Sequence, residues 1–350
     1  MSADKAKGFL DFIVAHPDDD VHRLVFADWY EEQGDAARAE FIRVQVEIAR
    51  LPEWDVRQVT LRLRQRALLK QHGTQWKAEL PTIKGVKWGE FRRGLVGAAT
   101  FDSYSVLRKQ AGACWAAAPI EAISIRWPRP RERVETLPPI PGLRELSINA
   151  MLVDPLEVDR LAATPLLSTL RVLEMSNCSV GTDSFRRLLA SPQLGNLTAL
   201  RVPANAIGNG GISALFDAAS LTGLTELDLS ESDGGGGGGG GGYGRYGEDP
   251  IVESLGMRAL AGWPGLAQLR SLKLSGNQAG RDGLRALLRS PHARGLKELA
   301  FRANHLDGPA VQEFCDAHPD LELEVLDLGA NLLRELGAAY LARSSCLRDL

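Results

Sequence analysis

The densest cluster of reactive side chains begins at His16-Pro17-Asp18-Asp19-Asp20 and continues through Asp28, Glu31, Glu32 and Asp35. Carboxylates this close invite a divalent cation. The ordered spacing of a calcium loop, with its internal glycine and closing glutamate, is missing. His16 and His22 have no partner set of the zinc type. The acids therefore read as helix caps and solvated helix faces, and neither a metal nor a cofactor is expected. Cys315 and His318 are spaced to share one face of a helix, which points to packing. The chain has no G-x-S-x-G, no H-E-x-x-H, no phosphate loop and no Cys-His set with a plausible base. No catalytic residue is assigned.

Side chains suited to binding are more evident. Arg126-Trp127-Pro128-Arg129-Pro130-Arg131 joins a tryptophan to three arginines on a loop stiffened by prolines. It fits a partner site, or packing of Trp127 onto the N-terminal residues. Residues 233–250 hold nine consecutive glycines, Gly234 to Gly242, then Tyr243, Arg245 and Tyr246. Such a run cannot offset its ordering entropy and reads as a flexible insertion. Its tyrosines could stack on bases or fold onto a partner. Arg57, Arg62, Arg64, Arg66 and Lys70, followed by Lys77, Lys84, Lys87, Arg92 and Arg93, form a basic stretch. That is a solvated helix face or a dock for an acidic partner.

Composition narrows the class. With 44% hydrophobic residues and a net charge of −3, the chain is of the soluble globular type and not a dedicated nucleic-acid binder or polybasic membrane anchor. No apolar run is long enough to span a bilayer, and no apolar run follows the first residues as in a signal peptide. The four cysteines, Cys114, Cys178, Cys315 and Cys346, are scattered and form no C-x-x-C. They are expected to be reduced, in a cytoplasmic protein.

The elements that must position these groups follow from periodicity. In the first residues, Phe9, Phe12 and Ile13 share one helical face, and Pro17 ends that helix. Asp19 or Asp20 caps a second helix, which stops at Gly34. Asp35 caps a third, with Pro52 after it. Asp55 starts a fourth, ending near His72-Gly73. Arg38, next to Glu40, is expected to pair with the acidic stretch. Beyond them, LRVLEMSNCSV at Leu170–Val180 returns as LTALRVPANAI at Leu197–Ile207, 27 residues later. Leu173 and Met175 alternate as inward residues of a short strand, while Cys178 or Asn205 sits where the chain turns. The inward site recurs at Val96, Ile123, Leu146, Leu173, Leu200, Leu227, Leu272, Leu299, Leu326 and Leu350. One step of 45 residues is a 27-residue step carrying an 18-residue insertion. Phe185, Ile212, Met257, Leu284 and Val311 hold one helical position, and Leu188, Leu215, Leu260, Leu287 and Phe314 another.

The phrase LxxLxLxx(N/C)xL resembles the leucine-rich repeat, and its 27-residue length is similar to repeats of the ribonuclease-inhibitor type. The resemblance implies an α/β solenoid over residues 81–350, a horseshoe with a parallel sheet inside and helices outside. Pro128 and Met151 stand where asparagine or cysteine belongs, so irregular early turns are expected. The segment HPDDDVHRLVFADWYEEQGDAARAEFIRVQVEIARL, His16 to Leu51, looks like the bacterial repeat-companion domain, a short module preceding repeat arrays. It implies an α-helical capping domain over residues 1–80 and no catalytic activity.

Ligands of such arrays usually lie on the outward strand positions. Here the central row reads Ser147, Glu174, Arg201, Asp228, Lys273, Ala300 and Asp327, and Arg302 stands on the row after it. Arg201, Lys273 and Arg302, with Glu174 and Asp228, are the partner-binding candidates there. Arg126, Trp127 and Arg129 form the second candidate patch. The leading expectation is a non-catalytic protein-interaction scaffold. Regulation of a small GTPase follows from similarity to repeats of Ran GTPase-activating proteins, and RNA binding would use the Tyr-Arg-Tyr loop and the Arg-Trp-Pro patch. The chain stops at Leu350, four residues into a new repeat, so Leu323–Leu350 is expected to fray or self-associate.

Overall fold

The computed structural model describes residues 2–52, 55–126, 140, 142–149, 155–231, 252–317 and 323–343. Trp127, Pro128, Arg129, Met151, the 233–250 insertion, His318 and Leu350 lie outside these residues. The fold is α/β with mostly parallel strands, in two compact units. The first holds the described residues up to Arg126 and from Ile140 to Ser147; the second starts at Ile148.

Four helices open the first unit: α1 (Ser2–Ala15), α2 (Val21–Glu32), α3 (Ala36–Arg50) and α4 (Arg57–Ala78). Ile13 and Phe26 are buried together, and Phe9 stacks on Phe26 at 5.2 Å. Phe12, from the same predicted face, is instead exposed and stacks on the His22 ring at 5.7 Å. Gly34, at φ +87°, ends α2 as its freedom in the left-handed region allows. Asp35 caps α3 by accepting from Arg38 N at 2.9 Å. Asp20 makes no cap; Asp19 accepts from Val21 N at 2.9 Å, and Asp20 bonds Arg50 at 3.0 Å. The fourth helix does not stop at Gly73. It runs on to Ala78 because Trp76 is buried against Phe41, 4.8 Å between ring centres.

Strands β1 (Val86–Trp88), β2 (Phe91–Arg92), β3 (Leu95–Val96) and β4 (Ala98–Phe101) follow, then α5 (Tyr104–Ala117), β5 (Ala122–Arg126) and β6 (Glu145–Asn149). The expectation that Val96 is the first inward strand site is corrected. Arg93 and Gly94, at φ +46° and +87°, fold β2 back on β3 as a separate hairpin. A side chain at Gly94 would sit 2.5 Å from Ile42 Cα, so glycine is required there. The first parallel strand is β4, where Ala99 pairs with Ile123 and is the true inward site. Within this unit the strand order is β1-β4-β5-β6, with β1 antiparallel to β4.

The second unit repeats a strand, a turn and a helix. Its elements are α6 (Pro155–Ala162), β7 (Val172–Ser176), α7 (Thr182–Leu189), β8 (Ala199–Arg201), α8 (Gly208–Ser213), β9 (Glu226–Asp228), α9 (Ser254–Gly262), β10 (Ser271–Lys273), α10 (Gly280–Leu288), β11 (Glu298–Ala300), α11 (Gly308–Ala317), β12 (Val325–Asp327) and α12 (Arg334–Arg343). Strands β7 to β12 lie in chain order. Leu173, Leu200, Leu227, Leu272 and Leu299 stand side by side in register and are buried. The helical positions close the core: Phe185, Ile212, Met257, Leu284 and Val311 are all buried, as are Leu188, Leu215, Leu260, Leu287 and Phe314. Alternation along strands and a three-to-four spacing along helices put both sets on facing surfaces.

An asparagine closes four of the turns: Asn205, Asn277 and Asn304 are buried and Asn331 is half-buried, while Cys178 takes that place after β7. Asn331 Oδ1 accepts from Asn304 N at 2.8 Å and Leu306 N at 3.1 Å, while its Nδ2 donates to Phe301 O and Leu328 O at 2.9 Å. Backbone groups that the turn removes from the ladder are thus paired, as buried amides must be. The residue before each turn position is left-handed: Asn177, Ala204, Glu231, Gly276, Ala303 and Ala330 have φ between 53° and 69°.

Candidate interaction face

The outward strand positions of the second unit form continuous rows because the strands are in register. Glu174, Arg201, Asp228, Lys273, Ala300 and Asp327 fall on one row, all partly exposed. The charges on these rows are largely satisfied by one another. Arg201 Nε and Nη2 each donate to the Glu226 carboxylate at 2.7 Å. Lys273 Nζ lies 3.8 Å from Glu226 and 3.4 Å from Glu298, and Ser271 Oγ donates to Glu298 at 2.6 Å. The Arg201 bonds hold the Glu226 carboxyl below the usual carboxylate range. Arg201, Glu226, Lys273 and Glu298 therefore form an alternating ladder across β8 to β11.

The other candidates divide. Glu174 accepts from Ser176 Oγ at 2.8 Å, and Asp228 accepts from Ser230 N at 2.9 Å, so both brace their own strand ends. Arg302 differs: it is exposed and its guanidinium makes no ion pair among the described residues. It overlies Gly329, where an added Cβ would meet Arg302 Nη1 at 2.5 Å. Exposed Val325 lies on β12, the strand next to β11. Arg126, from the second patch, is exposed at the end of β5, and its companions Trp127 and Arg129 fall outside the described residues.

The first unit holds a charge cluster that spacing did not reveal. Arg23, fully buried, donates to Pro17 O at 3.0 Å and to Glu121 at 2.8 Å. Arg93 also bonds Glu121 and lies 3.5 Å from Asp20, and Arg144 donates to Asp18 at 2.5 Å. The partners are up to 126 residues apart in the chain, so no local motif could have shown them. Part of the acidic front is thus neutralised by arginines that follow it. Much of the basic stretch is also paired, Arg57 with Asp55, Arg64 with Glu40 and Arg92 with Glu145.

Arg38 corrects an expectation. It makes no ion pair with the acidic stretch but lies among rings, with its guanidinium carbon 4.8 Å from the Trp76 centroid and 5.4 Å from Phe91. Aromatic faces and the Tyr30 hydroxyl hold this cation in place of a direct carboxylate.

The thiols are dispersed. Burial pushes the Cys114 thiol up to about 11. Cys178 Sγ donates to Ile148 O at 3.3 Å, and Cys315 Sγ is 3.9 Å from Tyr340 O. Among the described residues, no three His, Cys, Asp or Glu side chains converge on a metal-sized site, and no helix is long and apolar enough to cross a membrane. Neither a protein-family model nor a curated protein matches this sequence.

Proposed function

We propose that this chain is a non-catalytic, cytoplasmic scaffold, a leucine-rich-repeat solenoid that takes a protein partner on its outward strand rows, with residues 1–80 as its capping module. The observation that supports this most is the contrast along the rows. Arg201, Glu226, Lys273 and Glu298 neutralise one another. Arg302 stands exposed over Gly329, with no ion pair among the described residues. An exposed arginine without a carboxylate partner is a candidate interface anchor. The partner's matching surface carries a carboxylate. The paired ladder sets register, since a partner must replace pairs that already exist.

A second copy of this chain is the alternative partner. Val325, Leu332 and Leu336 are exposed on the last described repeat, and they support self-association through that end.

The test is a nuclease-treated pull-down with wild type, Arg302→Glu and Arg201→Glu. Capture of one protein that is lost with Arg302→Glu and retained with Arg201→Glu supports the reading. Capture indifferent to both changes removes the strand face as the site. Recovery of only this chain itself supports self-association through the last described repeat instead.

A further inference from the structure

The first unit contains a cleft of about 470 Å³ lined by α1, α2, the end of α4 and the residues after α5. That size lies within the usual range for small-molecule sites, about 300–1,000 Å³. Leu10, Phe26, Leu80, Leu95 and Pro119 make most of its wall apolar. Set in the wall is Arg38, only 5% exposed. Its Nε and Nη1 have no hydrogen-bond partner, and it forms no ion pair among the described residues. Three rings surround it, with Tyr30 the farthest at 5.8 Å.

A buried cation with the Tyr30 hydroxyl as its one hydrogen-bonding side chain and no direct carboxylate partner is incompletely neutralised. Burial pushes the Arg38 guanidinium below its ordinary range. Glu79, on the same wall, has its carboxyl pushed up by burial, with Arg38 acting against that shift. The other buried arginine, Arg23, has a direct carboxylate partner, whereas Arg38 has none among the described residues.

We propose that this cleft binds an amphipathic monoanion, a small carboxylate on an apolar chain or ring. The carboxylate is drawn to the Arg38 charge and the Tyr30 hydroxyl, and the apolar body lies along Leu10, Leu80 and Leu95. Lys7, exposed on the lining, adds attraction of the same sign. Glu79 opposes a second negative charge, so a dianion such as phosphate is rejected. The site is separate from the strand rows, and its occupancy does not depend on the scaffold reading.

The experiment is calorimetric titration of the full chain with octanoate, octanol and inorganic phosphate. Octanoate is expected to bind, octanol roughly tenfold more weakly, and phosphate not at all. Arg38→Met, which keeps the apolar volume and removes the charge, brings octanoate down to the level of octanol. Glu79→Gln tightens octanoate severalfold. The proposal is overturned by equal binding of octanoate and octanol, by no octanoate binding, or by an Arg38→Met protein that binds octanoate as wild type does. Where Arg38→Met loses the wild-type circular dichroism spectrum, Glu79→Gln decides: unchanged or weaker octanoate binding overturns the proposal.

Discussion

Asn205 holds the turn that began 27 residues before it: its Oδ1 accepts from Cys178 N and Val180 N, both at 3.0 Å. Its Nδ2 returns the bond to Met175 O at 2.7 Å and Val202 O at 3.0 Å. Asn277 occupies the same position after the insertion, but its Oδ1 has no hydrogen-bond partner among the described residues. Its Nδ2 still donates to Leu229 O and Leu274 O. Asn205→Ala leaves two buried amides and several carbonyls unpaired, with an expected loss of about 3 kcal/mol. Asn277→Ala should cost about 1–2 kcal/mol less. Urea midpoints of the two variants test this, and equal losses would refute the role assigned to the asparagine acceptor.

Much of this array was legible because the signal is periodic. Every inward leucine from Leu146 to Leu299 is buried, and Met257 and Leu260 fell into place once 18 residues were subtracted. Where the period breaks, reading failed. Val96 looked like an inward site, yet the turn at Arg93-Gly94 sends it into a hairpin and leaves Ala99 on the sheet. The rows of outward charges were also legible, but their pairing was not. Arg201 and Glu226 lie on adjacent strands, and only the register shows that one cancels the other. Arg38 was misread for a similar reason, since its aromatic neighbours come from α2, α4 and β2.

Glu121 is the hub of the first unit's charges. It meets both Arg23 and Arg93, and Arg23 has no exposure at all. Removing one partner of a buried pair typically costs about 3–5 kcal/mol, and Glu121→Ala should fall in that range. Glu121→Gln keeps an acceptor for Arg23 and should cost less. The exposed Arg64–Glu40 pair is the control, and Glu40→Ala should cost under about 1 kcal/mol. Thermal melts that rank Glu40→Ala with Glu121→Ala would remove the hub.

Acid should weaken the contact between α10 and α11. Arg285 and Arg281 donate to Glu313 at 2.7–2.9 Å and hold its carboxyl down at about 2. In the unfolded chain the same group titrates near 4.3, about the model-peptide value. A depressed folded value means the stabilisation is present in full above the unfolded value. It is lost as pH falls from about 5 through about 2. The effect is small because solvent screens a partly exposed group. The melting-temperature gap between wild type and Glu313→Gln should shrink over that window, and a gap independent of pH would contradict the assignment.

The insertion should be dispensable to the fold. Register resumes at Val252, which is buried, and the Glu253–Gln278 bridge repeats the Gly181–Ala206 and Asp307–Leu332 bridges. Deleting residues 233–250 joins Ser232 to Ile251 and restores the common repeat length. Loop-closure cost changes by only about 0.6 kcal/mol per doubling of length, so stability should stay level or rise by less than about 1 kcal/mol. A shortened chain that fails to fold would show that these residues contribute structure.

The left-handed turn residue offers the sharpest comparison. Ala204 and Ala303 have φ of 55° and 53°, and Gly276 takes the equivalent place at 69°. Each donates its amide forward to the next repeat, Ala204 N to Ser230 O at 2.9 Å, Gly276 N to Arg302 O at 2.8 Å and Ala303 N to Gly329 O at 3.0 Å. That bond demands the same backbone at all three sites. An L-residue there pays about 1–2 kcal/mol against the following carbonyl, whereas glycine is unstrained but loses more entropy on folding. Ala204→Gly and Ala303→Gly should each therefore stabilise by about 0.5–1 kcal/mol. Gly276→Ala should do the reverse and more, because its Cβ would also meet Glu231 Cγ at 2.9 Å. Denaturation midpoints of the three variants separate the backbone term from the contact term. Two alanine-to-glycine variants that both lose stability would mean that unfolded-state entropy, not left-handed strain, dominates at this turn.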